Sequence, residues 1–161
     1  MSEQYRGFYD ITEDIIKRLK EAGCKVVSFG DTPDYARDKN TVTPGAHVSP
    51  IGFSNSDTVN TVQIEIFCYD LVTLYKLGDQ FGGQPQYGEN NNVDALDTCM
   101  AIIDRFVKQI ASRTVQINSG GYYKVDSGTQ WNAVYEDGNT RVTGWIGTLN
   151  ITMQNYTSAC L

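Results

Sequence analysis

The sequence contains a single histidine, His47, and it has no C-x-x-C spacing among its four cysteines. Zinc-type sites need several histidine, cysteine or carboxylate ligands that converge, and Cys24, Cys68, Cys99 and Cys160 stand far apart along the chain. The pattern therefore predicts no metal site. We expect reduced thiols, three of them buried as small apolar side chains.

Sequence signatures of catalysis are also missing. The chain has no G-x-S-x-G motif, and no lysine follows Gly82-Gly83 as a phosphate-binding loop would require. A lone histidine beside a proline-rich turn favours a structural role, and Asp94 and Asp97 lie in a first helical turn, where acids offset the helix dipole. We therefore predict no enzyme activity, no catalytic residue and no cofactor.

Clustered positive charge is absent as well. The 13 lysines and arginines are outnumbered by 19 aspartates and glutamates, which gives a formal net charge of −6. Nucleic-acid-binding surfaces need clustered lysine and arginine, so we expect no tight binding of duplex DNA. The polar first residues predict no signal peptide, and no apolar run approaches the roughly 18 residues of a membrane span.

Apolar residues recurring every three or four positions predict two amphipathic helices, Ile11–Ala22 and Val93–Ser112. Asp10 is predicted to cap the first helix and to form a capping box with Glu13. Gly23 is predicted to end it in a left-handed conformation.

Alternation of apolar and polar residues, with turn residues between the runs, predicts strands. A β-hairpin is expected around Asn55-Ser56-Asp57. The result is one domain over residues 1–161 of the α/β (α+β) class, with order α-β-β-β-α-β-β. We expect a mixed or antiparallel sheet with both helices on one face. The predicted strand segments are Cys24–Phe29, His47–Phe53, Thr58–Tyr69, Thr114–Ile117, Tyr122–Val125, Gln130–Tyr135 and Thr140–Met153.

Two long polar segments, Gly30–Pro44 and Leu71–Asn92, are predicted to be loops. Loops of this length tend to be functional, and we expect these two to contact neighbouring subunits. The ten tyrosines fit such interfaces, and they fit a β-rich domain equally well. The predicted contact residues are Tyr35, Arg37, Gln80, Phe81 and Tyr87.

Several short motifs resemble those of small tail-terminator-like virion proteins of tailed bacteriophages. The run from Gly30-Asp31 to His47 resembles their G-D … D-x-x-K/N-x-T-x-x-P-x-x-H stretch, and Val62–Val72 resembles their central strand, closed by an aspartate. The G-W pair before an alternating apolar run resembles their final strand. The matching residues are Gly30, Asp31, Asp38, Lys39, Thr41, Pro44, His47, Asp70, Gly144 and Trp145.

The resemblance implies an α/β subunit of a closed homo-oligomeric ring, expected to be a hexamer, at the head-proximal end of the tail. Such a ring ends tail-tube polymerisation and joins the tail to the head-side connector. The implied partners are further copies of the chain, the tail-tube protein and the connector or neck proteins, with DNA passing through the channel without specific binding. The implied location is the virion, after assembly in the host cytoplasm. Another neck, connector or tail-completion subunit is an alternative, and a small hydrolase or ligand-binding module is an alternative of a different class.

Overall fold

A computed structural model of the chain describes residues 7–31, 43–71, 92–110, 114–117, 121–126, 128–135 and 142–154. Within them it is a mixed α+β protein, as the sequence predicts, with helices α1 (Phe8–Ala22) and α2 (Asn92–Ile110). The strands are β1 (Val26–Phe29), β2 (Gly45–Asn55), β3 (Val59–Leu71), β4 (Thr114–Gln116), β5 (Tyr122–Val125), β6 (Trp131–Val134) and β7 (Val142–Gln154).

The strands form one mixed sheet in the order β1-β2-β3-β7-β5-β4, and β6 also pairs with β7. β1 runs parallel to β2, and the other pairs are antiparallel. β3 and β7 pair over their whole length, from Val59 opposite Gln154 to Leu71 opposite Val142. Along its other edge, β7 pairs with β6 between Gly144 and Gly147 and with β5 between Ile151 and Met153. The two longest strands therefore form the centre of the sheet.

Both helices pack on one face of this sheet and share a single apolar core with it. The alternation that predicts β3 places every second side chain, from Val62 to Cys68, in that core. Each fully buried aliphatic side chain stabilises the fold by about 1.5–3 kcal/mol. The helical side chains in this core are Ile11, Ile15, Leu19, Ala22, Cys99, Ile102, Ile103, Phe106 and Ile110.

The opposite face of the sheet differs between its two ends. Near the end of β3, Phe67 and Tyr69 are buried with Val142 in a second, smaller cluster, and their ring centroids lie 5.5 Å apart. Towards the β2–β3 hairpin the same face is polar, and Gln63 Nε2 donates a hydrogen bond to Asn150 Oδ1 at 3.2 Å. Strands β3 and β7 are therefore covered by apolar side chains on both faces at the Phe67–Tyr69 end, and on the helix face alone near the hairpin.

The start of α1 differs from the sequence prediction. The helix begins at Phe8, with Gly7 at the N-cap and no side-chain capping hydrogen bond, so the prediction that Asp10 caps it is wrong. Asp10 lies inside the first turn, where a carboxylate still interacts favourably with the helix dipole. The C-terminal prediction is confirmed: Gly23 has φ 129° and its N–H donates to Lys20 O.

The predicted element order undercounts the strands that follow α2. Four strands follow it in the described residues, whereas the order α-β-β-β-α-β-β allows two. All four coincide with strand segments predicted from the sequence, so the segments are confirmed and only the summary order is wrong. The β2–β3 hairpin is confirmed, and Ser56 Oγ donates to Val59 O across its turn at 2.8 Å.

A polar contact ties α1 to β5 beside the core. The hydroxyl of buried Tyr123 and Nε of Arg18 each donate to Asp14 Oδ2, both at 2.7 Å. Burial, reinforced by the hydrogen bond to the Asp14 carboxylate, raises the pKa of Tyr123. The folded protein therefore holds this phenol in its protonated form.

Stability should fall at alkaline pH because of Tyr123. A group whose pKa is raised on folding makes its full contribution to the free energy of unfolding below its unfolded pKa, which is about 10 for tyrosine. It loses that contribution as the pH rises further. The free energy of unfolding should drop by about 1.4 kcal/mol per pH unit above that point from this residue. Tyr123→Phe should abolish this part of the dependence, at a cost of about 1–2 kcal/mol at neutral pH.

Urea denaturation between pH 7 and 11 measures both effects. Tyr122→Phe is the matched control, since Tyr122 is the exposed neighbour on the same strand. Hydrogen bonding with Cys24 and Cys99, together with burial, also raises the pKa of Cys68, but this contribution is common to all the variants. Parallel pH curves for wild type and Tyr123→Phe would contradict the prediction.

Candidate functional site

An apolar groove lies on the helix face of the sheet, beside the β2–β3 hairpin. We call it the hairpin-end groove, and its volume is about 480 Å³. The first residue of α1 forms one wall, the hairpin strands form the floor and β7 closes the far side. The lining residues are Phe8, Pro50, Gly52, Phe53, Asn60, Val62 and Met153.

A β-bulge in β2 directs Phe53 into this groove. Proline has no N–H for the strand ladder and occurs in sheets at edges or bulges, and the register shifts between Pro50 and Gly52. Because Ile51 is the additional residue, Phe53 pairs with Val62 and lies on the helix face. In a regular strand the side chain at position 53 would have pointed to the polar face.

The groove is bordered by exposed apolar side chains. Phe53, which is part of the lining, is 67% exposed. On the α1 side, the ring of exposed Phe29 packs against the ring of Phe8, with centroids 6.2 Å apart. Contiguous exposed apolar surface is uncommon on soluble proteins and marks interaction sites.

Asn60 is the polar residue of the lining, and its side chain is buried. Its Oδ1 accepts a hydrogen bond from Asn55 Nδ2 at 2.6 Å, across the hairpin. None of the described lining residues carries a charge. The groove can therefore bind an apolar surface without the cost of burying a charged group.

His47 holds β1 against β2 on the other face of the sheet. Its Nε2 lies 2.9 Å from Gly30 O, and its Nδ1 lies 2.7 Å from Ser28 Oγ. A carbonyl oxygen only accepts, so Nε2 donates, and in the neutral ring Nδ1 accepts the Ser28 hydroxyl proton. A serine hydrogen-bonded to a histidine has the elements of a nucleophile and its base. Here both residues are almost completely buried, Ser28 at 6% and His47 at 4% exposure, so a substrate would not reach the hydroxyl in this arrangement.

Removal of the His47 ring should destabilise the β1–β2 pairing. His47→Ala leaves the Ser28 hydroxyl and the Gly30 carbonyl without this partner, so we expect a loss of about 2–3 kcal/mol in unfolding free energy. Ser28→Ala removes one hydrogen bond and should cost about 1 kcal/mol. Chemical denaturation measures both, and equal stabilities of His47→Ala and wild type would refute the role given to His47.

The other motif residues fall at both ends of the sheet. Pro44 O accepts a hydrogen bond from Lys25 N where β1 begins, and Gly30 N donates to Val48 O where it ends, next to Asp31. At the end of β3, the Asp70 carboxylate accepts a hydrogen bond from the N–H of the following residue. Gly144 and Trp145 lie on β7. The remaining motif and contact residues lie outside the described residues; they are Tyr35, Arg37, Asp38, Lys39, Thr41, Gln80, Phe81 and Tyr87.

Three of the four cysteines, Cys24, Cys68 and Cys99, are unpaired and buried, which confirms that prediction. Their thiols interact in the core between the helices and β3. Among the residues that the structure describes, no group of three or more histidine, cysteine, aspartate or glutamate side chains is arranged to hold a metal ion. Neither described helix is long and apolar enough to cross a bilayer.

Comparison with protein-family models and with curated proteins gives no match. The hairpin-end groove and the exposed Phe53 were not predicted from the sequence, which placed the contacts in the long loops. The Pro50-Ile51-Gly52 run was the available signal, because a proline beside a glycine inside an alternating strand is typical of a bulge.

Proposed function

We propose that this chain is a structural subunit of the neck or tail of a tailed bacteriophage, in the role of the tail-terminator ring. The observation that carries the proposal is the exposed apolar surface of the hairpin-end groove. A side chain such as Phe53, 67% exposed beside an uncharged groove, is suited to contact with another protein. The sequence resemblance supplies the class of assembly.

Further support comes from the form of the domain. The long β2–β3 hairpin extends beyond β1, which pairs only with the first residues of β2, from Gly45 to Val48. An extended hairpin with an apolar surface gives a subunit a contact region separate from its core. We propose that the mixed sheet and its two helices adopt a tail-terminator-like arrangement in this ring.

Imaging of the purified chain, alone and with its tail-tube protein, tests the function. We expect rings, or rings on the ends of tubes whose growth has stopped. Mass spectrometry of purified virions should find the chain in several copies per particle. A chain that is absent from virions, or one that leaves tube growth unchanged, would overturn the proposal.

A second candidate function is a small-molecule binding module, because a concave apolar groove with one polar group, Asn60, also suits an apolar ligand. Native mass spectrometry distinguishes this function from the first. A stoichiometric small molecule that is retained by the wild type and lost in Phe53→Asp would favour the binding module.

A further inference from the structure

Three cysteine side chains come together in the main core from three different elements. Cys24 follows the end of α1, Cys68 lies on β3 and Cys99 lies on α2. All three are unpaired. Cys24 is 4% exposed, and the other two are 0% exposed. We call this set the thiol cluster, and none of its members lines the hairpin-end groove.

The packing of α1 against α2 places Cys24 beside Cys99. Gly23, the residue before Cys24, lies against α2, because a Cβ atom on it would be 3.3 Å from Ile102 Cγ1. Ile102 comes three positions after Cys99, so the two side chains lie on the same face of α2, one turn apart. The chain therefore leaves α1 next to the part of α2 that carries Cys99.

Cys68 is the member of the thiol cluster that contacts both of the others. Its Sγ lies 4.0 Å from Cys99 O. Its thiol also forms side-chain hydrogen bonds with Cys24 and with Cys99. These hydrogen bonds, reinforced by burial, raise the pKa of the Cys68 thiol well above its ordinary value. Cys68 is therefore held as the neutral thiol between two further sulfur atoms.

We propose that the thiol cluster is an oxidation site, in which a peroxide converts Cys24 and Cys68 into a disulfide. Cys24 is the partner because it contacts Cys68 and is the outermost member of the cluster. Hydrogen peroxide suits a buried site because it is little larger than water. Thiols with little thiolate character react slowly, so the reaction should follow local opening of the core. This inference does not depend on the proposed function.

The reaction balances with hydrogen peroxide as the oxidant. The Cys24 thiolate attacks one peroxide oxygen, the O–O bond breaks, and a sulfenic acid and hydroxide form. The Cys68 thiolate then attacks the sulfenic sulfur, the S–O bond breaks, and the S–S bond forms as a second hydroxide leaves. Each hydroxide takes up one thiol proton. The two thiols lose two electrons in total, and the peroxide is reduced to two molecules of water.

The disulfide ties the end of α1 to the centre of the sheet. It closes the long loop between Cys24 and Cys68, which restricts the unfolded chain, so we expect the Tm to rise by about 5–10 °C. Both sulfur atoms are buried, and a reductant reaches them only when the core opens. Reduction of the folded protein should therefore be at least about tenfold slower than reduction of the unfolded chain.

Peptide mapping after peroxide treatment tests the site. Cys160→Ser serves as the parent protein, because Cys160 lies outside the described residues and its thiol would complicate the count. The folded parent is treated with hydrogen peroxide and then unfolded, and its free thiols are alkylated for mass spectrometry. We expect one intramolecular disulfide between Cys24 and Cys68, with Cys99 alkylated.

Two matched variants of this parent each remove one fully buried cysteine. Cys99→Ala should still form the disulfide, whereas Cys68→Ala should keep both of its remaining thiols free. The mapping of the parent decides the proposal if either variant fails to fold. Thermal unfolding of the oxidised and the reduced parent measures the change in Tm.

Three results would overturn the inference. If all three thiols stay free or are oxidised further to sulfinic acids, the cluster does not pair. If mapping finds a disulfide other than the one between Cys24 and Cys68, the contacts of Cys68 do not direct the oxidation. If the oxidised parent unfolds at or below the temperature of the reduced parent, the disulfide does not stabilise the fold. The proposed function is judged separately, by the number of copies in virions.

Discussion

Gly144→Ala is expected to destabilise the protein by at least about 3 kcal/mol and to prevent soluble expression at 37 °C. A Cβ atom at this position would lie 1.8 Å from Cys68 O and 2.8 Å from the Tyr69 Cα atom. These are backbone atoms of the adjacent central strand, so the clash cannot be relieved by a change of side-chain rotamer. Overpacking of a core usually costs 1–3 kcal/mol, and a clash with backbone belongs at or above the upper end.

Gly52→Ala is the matched control, because Gly52 is also a sheet glycine whose added Cβ meets a neighbour at 2.8 Å. That neighbour is Oε1 of Gln63, the end of a flexible and exposed side chain, so the substitution should cost less than about 1 kcal/mol. Thermal and urea unfolding measure both variants. If Gly144→Ala is as stable as Gly52→Ala, the close approach of β7 to β3 at this point is not real.

Trp145→Ala should remove about 3–5 kcal/mol of stability. Trp145 is half-buried and packs against the main core, and its Nε1 donates to Leu96 O at 2.9 Å. It lies on the same face of β7 as Leu149 and Ile151, as the sequence predicts. Loss of the indole removes both the apolar contact and the hydrogen bond that positions the first half of α2.

Trp145→Phe separates these two contributions, because it retains most of the apolar contact and loses the N–H donor. We expect it to cost about 1–2 kcal/mol, well below the cost of Trp145→Ala. Urea denaturation gives the unfolding free energies, and sizing of the assembled protein gives the assembly state. A Trp145→Ala variant of undiminished stability that fails only to assemble would place the indole at a subunit interface instead.

Elements with a repeated local signal were predictable from the sequence. The stripes of α1 and α2 recur at helical spacing, and β3 alternates over a long run, so each reveals its buried face without knowledge of its neighbours. The hairpin was predictable because its turn residues separate two such runs. The start of α1 could not be predicted, because Gly7 has no side chain to cap the helix. Asp10, a residue type that favours the N-cap, gave a stronger but incorrect signal.

Features that depend on strand neighbours could not be predicted. The Ser28–His47 hydrogen bond exists because β1 pairs in parallel with β2, and no local pattern sets that register across 19 residues. The sharing of one edge of β7 by β5 and β6 is likewise a tertiary outcome. The exposed position of Phe53 follows from a single additional residue, Ile51, whose effect on the strand face becomes visible only when the pairing is known.

The central place of β7 has a consequence for how the chain folds during its synthesis. β7 is the last described strand to leave the ribosome, yet it is the one that completes the long edge of β3. Until it arrives, β3 presents a row of unpaired backbone groups beside the apolar side chains of its buried face, and such edges favour aggregation. The pairing of β3 can therefore be completed only after residues 142–154 have been made, and such non-local pairing makes folding intrinsically slow. A nascent chain that stalls before β7 keeps this edge of β3 unpaired.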